Sequence, residues 1–103
     1  MYNNLTEIIK WVQMIASLTG ILTSIGKSEI IIEVNGVGYL LNVTSKLIST
    51  LGDIGSTLSV FTDLQIKDDK ILMYGFTTVA DQDFFRLLQT VQGIGPKAAL
   101  SIL

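Results

Sequence analysis

Gly93-Ile94-Gly95-Pro96-Lys97-Ala98 is the stretch of this 103-residue chain whose residue types and spacing most plainly imply chemistry. The residues on either side, Leu88–Val91 and Ala98–Leu103, are helical in character, so the glycines fall in a tight connection between two helices. Glycine opens backbone conformations closed to other residues and lets the main chain approach a ligand closely. Ile94 is suited to point back between the helices and lock the connection. Pro96 fits the first turn of the second helix, where its missing N–H costs nothing. The free amides of that turn then point outward beside Lys97, a site for one phosphate. This is the helix-hairpin-helix device for gripping a DNA backbone without reading its sequence. The plainer alternative is an interhelical turn with no ligand.

The second candidate is the acidic pair Asp68-Asp69, flanked by Lys67 and Lys70 at the tip between two strand-like stretches. On residue type alone these are ordinary turn residues, for which aspartate is well suited. Other chemistry is scarce. The chain has no cysteine and no histidine, which removes disulfides, thiolate nucleophiles, thiolate or imidazole metal sites and a histidine general base. Asp81 and Asp83 lie two apart on a predicted helix and so do not share a face. Neither a phosphate-cradling Walker loop nor a nucleophile–base pair appears. The expectation is a non-catalytic protein without metal or cofactor.

Composition narrows the partners. Seven basic residues against nine acidic ones give a formal charge of −2. A protein living on phosphate contacts usually carries a basic stripe instead. Any DNA contact must therefore rest on local geometry and on several copies of the chain acting together. Apolar residues make up 49% and charged residues only 16%, an excess of apolar surface that self-association would cover. No apolar run approaches the ~18–20 residues needed to cross a bilayer, and the N-terminus lacks a cleavage pattern, so the cytoplasm is the expected compartment.

The elements that must position these residues follow from periodicity. Leu5, Ile8, Ile9 and Val12 form a helical stripe within residues 1–13, an extension that Asn3 or Asn4 would cap. From Met14 the period becomes two. Strands are expected at Ile15–Ser24 (broken around Gly20), Glu29–Val34, Val37–Val43, Thr57–Ile66 and Ile71–Phe76. Asn35-Gly36 predicts a type I′ hairpin turn between the second and third. Ser45–Leu51 predicts a short helix with Leu47, Ile48 and Leu51 inward and Gly52 as a left-handed cap. Three strands, a helix and two strands is the element order of an OB-fold. The predicted fold class is thus mainly β: a five-stranded OB-fold barrel over 14–76, then a helical, helix-hairpin-helix segment over 77–103. That segment begins with a capping pattern at Thr78–Asp81 and continues as a helix over Val79–Val91. The sequence stops within an apolar helical run, which predicts a truncated chain or fragment.

Several of these stretches together resemble one family. Ile32-Glu33-Val34-Asn35-Gly36-Val37-Gly38-Tyr39 is similar to the second strand and hairpin of the RuvA family. Lys70–Phe76, ending Met73-Tyr74-Gly75-Phe76, resembles that family's exit from its barrel, and Gln92–Leu103 resembles its first helix-hairpin-helix. The resemblance runs from Met14 to Leu103, and Met14 fits the family's usual start, leaving 1–13 unexplained. It implies a homotetramer holding an open four-way (Holliday) junction in recombination and repair, beside a RuvB-type motor ATPase and a RuvC-type resolvase. It also implies that Asp68 and Asp69 form an acidic pin facing the crossover, and that Gly93–Ala98 binds DNA. Two departures stand out. A second helix-hairpin-helix and the motor-binding domain are absent from the sequence, and Ala16–Gly20 lacks the basic residues often found there. Half the phosphate grips and the motor contact are expected to be missing. The competing expectations are an oligomerisation fragment without DNA binding, and a single-strand-binding OB module stacking bases on Tyr39, Phe61, Tyr74 or Phe76.

Overall fold

A computed structural model describes residues 15–103; the expected leader helix over 1–13 lies outside the described residues. Alternation of apolar and polar side chains produces five strands among these residues: β1 Ser17–Ile25, β2 Glu29–Val34, β3 Val37–Val43, β4 Thr57–Lys67 and β5 Lys70–Phe76. They close into a barrel in the order β1-β2-β3-β5-β4, with every pairing antiparallel except β3 with β5. The mainly β, OB-like fold expected from the element order is the fold found. Closure buries Leu22, Ile30, Ile32, Leu41, Val43 and Val60 in one core, and α1 (Ser45–Ile48) adds Leu47 to it.

β1 is the strand that makes closure possible, because it pairs with β2 on one side and β4 on the other. It does not break at Gly20, as the sequence suggested, but runs through it. The glycine is required by proximity. A Cβ there would lie 2.3 Å from the Glu33 carbonyl oxygen, so β1 crosses β2 closer than any side chain permits. A register shift between Leu22 and Ser24 then bends β1 around the barrel.

α1 is shorter than expected, one turn rather than two. Thr44 caps it by accepting from the Leu47 N–H, and the chain leaves at Ser49 in right-handed conformation. Gly52 is therefore not a left-handed cap; the positive φ of this connection falls at Gly55.

After β5 come α2 (Val79–Leu88) and α3 (Pro96–Ile102). Thr78 caps α2 by accepting from the Asp81 N–H, half of the expected capping box, while the Asp81 carboxylate pairs with Lys46 at 3.4 Å. α2 spans ten residues rather than reaching Val91. Its apolar residues also divide unexpectedly. Phe85 is fully buried, but Phe84, Leu87 and Val91, spaced i, i+3, i+7, are exposed. The face turned to the barrel is instead Gln82, Phe85, Arg86 and Gln89. Phe85 joins Tyr74, Phe76 and Ala99 in a second core that ties β5 to both helices.

Candidate nucleic-acid interface

The β4–β5 ladder stays in register from Phe61 opposite Phe76 to Lys67 opposite Lys70, which leaves two residues, Asp68 and Asp69, to reverse the chain. Their φ values of 51° and 63° are those of a type I′ turn. Asn-Gly would make that turn most comfortably. An L-residue other than glycine pays about 1–2 kcal/mol for left-handed backbone, which aspartate softens only through local hydrogen bonding. Two adjacent carboxylates are thus held at the exposed tip of the longest hairpin at a backbone cost, with a lysine on each side.

The glycine connection begins where α2 ends. Gln89 closes the helix, and the Ile94 N–H donates back to the Val91 carbonyl at 3.1 Å. Gly93 sits at φ +88°, conformation open to glycine and strained for other residues. Gly95 differs from expectation: at φ −89°, ψ −177° it is ordinary extended backbone that any residue adopts. A Cβ there would meet nothing within 4 Å, so the fold itself does not require glycine at this position. Ile94 is half-buried against the Phe85–Ala99 core, so it does lock the connection. Pro96 is the first helical residue, and the Ala99 N–H is the first to donate to a carbonyl four back, that of Gly95. The Lys97 and Ala98 amides precede that first bond, and both residues are exposed.

The connection is held at a fixed place by a polar joint that sequence reading missed. Gln82 is buried and donates to the Thr62 carbonyl at 2.7 Å and the Ala16 carbonyl at 3.3 Å. The Arg86 guanidinium donates to the buried Asp63 carboxylate at 3.0 Å. The Gln65 amide bridges Asp63 and Gln89, at 3.1 and 2.9 Å. The signal was present as the 82, 86, 89 spacing, a polar stripe at helical period. It was obscured because apolar residues usually identify the inward face.

The barrel and the helices enclose an open groove of about 600 Å³ between β3, the start of α1 and α3. Lys67, immediately before the acidic pair, and Lys97, in the glycine connection, line the same groove, which thus extends from the glycine connection to the end of β4. Tyr74 forms part of its wall, and burial, reinforced by the Asp63 carboxylate, raises the phenol above its ordinary pKa of 10.0. The hydroxyl stays neutral there.

Of the four aromatic candidates for base stacking, Tyr39 and Phe61 are half-buried, and Tyr74 and Phe76 are buried. Tyr74 and Phe76 are 5% and 2% exposed, each with its ring centroid 4.9 Å from that of Phe85. Their faces serve the second core. Among the described residues no group of three or more His, Cys, Asp or Glu gathers as a metal site, and no helix is long and apolar enough to cross a membrane.

Residues 14–75 match the model of the RuvA N-terminal domain. The chain is 44% identical over 90 residues to the Holliday junction branch migration complex subunit RuvA of Erythrobacter litoralis, covering 87% of this chain and 45% of that protein. It is 43% identical over 91 residues to the same subunit of a Chelativorans species, covering 87% and 44%. The Roseiflexus subunit is 40% identical over 90 residues, covering 87% and 46%. The chain thus spans less than half the length of these relatives.

Proposed function

The chain belongs to the RuvA family, and on that premise we propose that it is the junction-gripping portion of a branch-migration subunit, active as a homotetramer on four-way DNA. The barrel (14–76) acts as one unit and the helical segment (77–103) as a second. Gly93–Ala98 grips a duplex arm by its backbone: the Lys97 and Ala98 amides and the Lys97 ammonium meet one phosphate, and Gly95 leaves room for its approach. Asp68 and Asp69 face the crossover. Carboxylates there repel phosphates, more strongly in a partly desolvated centre than in bulk water, and keep the arms apart. The chain itself performs no catalysis; movement of the junction comes from an ATP-driven motor of the RuvB type, with a RuvC-type resolvase as a further partner.

The observation that carries this reading is the acidic turn. Two adjacent carboxylates occupy positive-φ positions at the exposed tip, a backbone that asparagine or glycine would supply without the charge. The test removes the charge and keeps the turn. Asp68→Asn with Asp69→Gly is expected to leave the barrel at least as stable in denaturant titration. The same double variant is expected to bind linear duplex more tightly and to lose its preference for the four-way junction. A variant that keeps the junction preference would reduce Asp68 and Asp69 to ordinary turn residues. A tetramer that ignores DNA altogether, seen by size-exclusion chromatography with and without junction, would favour the oligomerisation reading instead.

A further inference from the structure

We propose that Lys27, in the β1–β2 connection of the barrel, is a further grip for the DNA phosphate backbone, belonging to neither the glycine connection nor the acidic turn, on a track it shares with Lys67 and Lys97 around the groove that all three line. The inference rests on the functional reading above and names how the arm travels between its two elements.

The three lysines come from three separate parts of the fold: the β1–β2 connection, the end of β4 and the first turn of α3. The groove's lining includes no aspartate or glutamate, in a chain with a formal charge of −2. The other cations among the described residues are differently placed. Lys46 pairs with Asp81, Arg86 pairs with Asp63, and Lys70 stands opposite Lys67 across the acidic turn. Charge is thus segregated, with three cations collected around one concavity. Like charges sharing a groove repel one another unless a polyanion neutralises them, and lysine meets phosphate as a mobile point charge without demanding a fixed geometry. The groove opens to solvent and all three lysines are exposed, so a strand can reach them from outside. Its direction also has a consequence. A backbone gripped at Lys97 and passed to Lys67 arrives one residue from Asp68, so attraction ends where repulsion begins.

The experiment is a salt titration of binding to a four-way junction by the 103-residue chain, between about 50 and 200 mM salt, where each neutralised phosphate contributes a slope of about 0.9. Lys27→Ala is expected to weaken binding and to reduce the magnitude of the slope by about 1, as for a lost phosphate contact. Lys46→Ala, an identical change in charge outside the groove, is expected to leave the slope in place. An unchanged slope in Lys27→Ala, or an equal reduction in both variants, would overturn the track while leaving the functional reading standing. Failure of the unaltered chain to bind any DNA would remove both.

Discussion

Phe85→Ala is expected to cost about 3–5 kcal/mol of folding stability, the usual range for removing a buried aromatic side chain. The effect is large because of where Phe85 sits. It is fully buried, packs against both Tyr74 and Phe76 of β5, and shares its core with Ala99 of α3. The ring is therefore at the centre of the core that joins both helices to the barrel. The barrel's own core, centred on Leu22, Ile30, Ile32 and Leu41, does not include it. Loss of the ring should release the helices first, seen as lost helical ellipticity at denaturant concentrations where the strand signal persists. DNA binding should fall with it, because Gly93–Ala98 would no longer be held beside the groove. A loss below about 1 kcal/mol, nearer the cost of a volume-conserving swap, would mean that this core does not fasten the helices as described.

Gly20→Ala tests the barrel itself. At an ordinary extended position the change would stabilise slightly, by about 0.4–1 kcal/mol, through the unfolded chain. Here the sign reverses. The added carbon would lie 2.3 Å from the Glu33 carbonyl oxygen, 2.8 Å from a Val34 methyl and 2.9 Å from an Ile32 methyl. The methyls have some freedom; the carbonyl belongs to β2 beside β1 and yields only by parting the two strands. The expected loss is about 3 kcal/mol or more, the upper end for overpacking. That is a large share of the 5–15 kcal/mol that holds a typical domain together. Thermal melting read by circular dichroism measures it, with Gly95→Ala as the control, since a Cβ there meets open space. Equal melting temperatures for the two variants would contradict the close crossing.

These two residues also mark what the sequence made legible. Strand alternation placed β2 and β3 to the residue, and Asn35-Gly36 turned between them, because period and turn chemistry are local properties. Gly20 was visible only as a weak point. Its reason, the carbonyl of Glu33 on the neighbouring strand, is a contact that no local pattern encodes. The same distinction runs through the candidate interface. Asp68-Asp69 and Gly93–Ala98 stood out from residue type and family resemblance. The buried joint of Gln82, Asp63 and Arg86 did not, because polar side chains point inward only when a particular partner waits for them. Nor did the grouping of Lys27 with Lys67 and Lys97, residues far apart in the chain that closure of the barrel and the packing of α3 bring around one groove.

Competitive binding of four-way junction and linear duplex, with equal arm length at one fixed salt concentration, measures the central claim most directly. A chain that holds the crossover with its acids and the arms with its amides and lysines binds the junction more tightly, and does so as a tetramer. Equal affinity for the two DNAs would show a backbone-binding protein with no sense of the crossover, and would contradict the account.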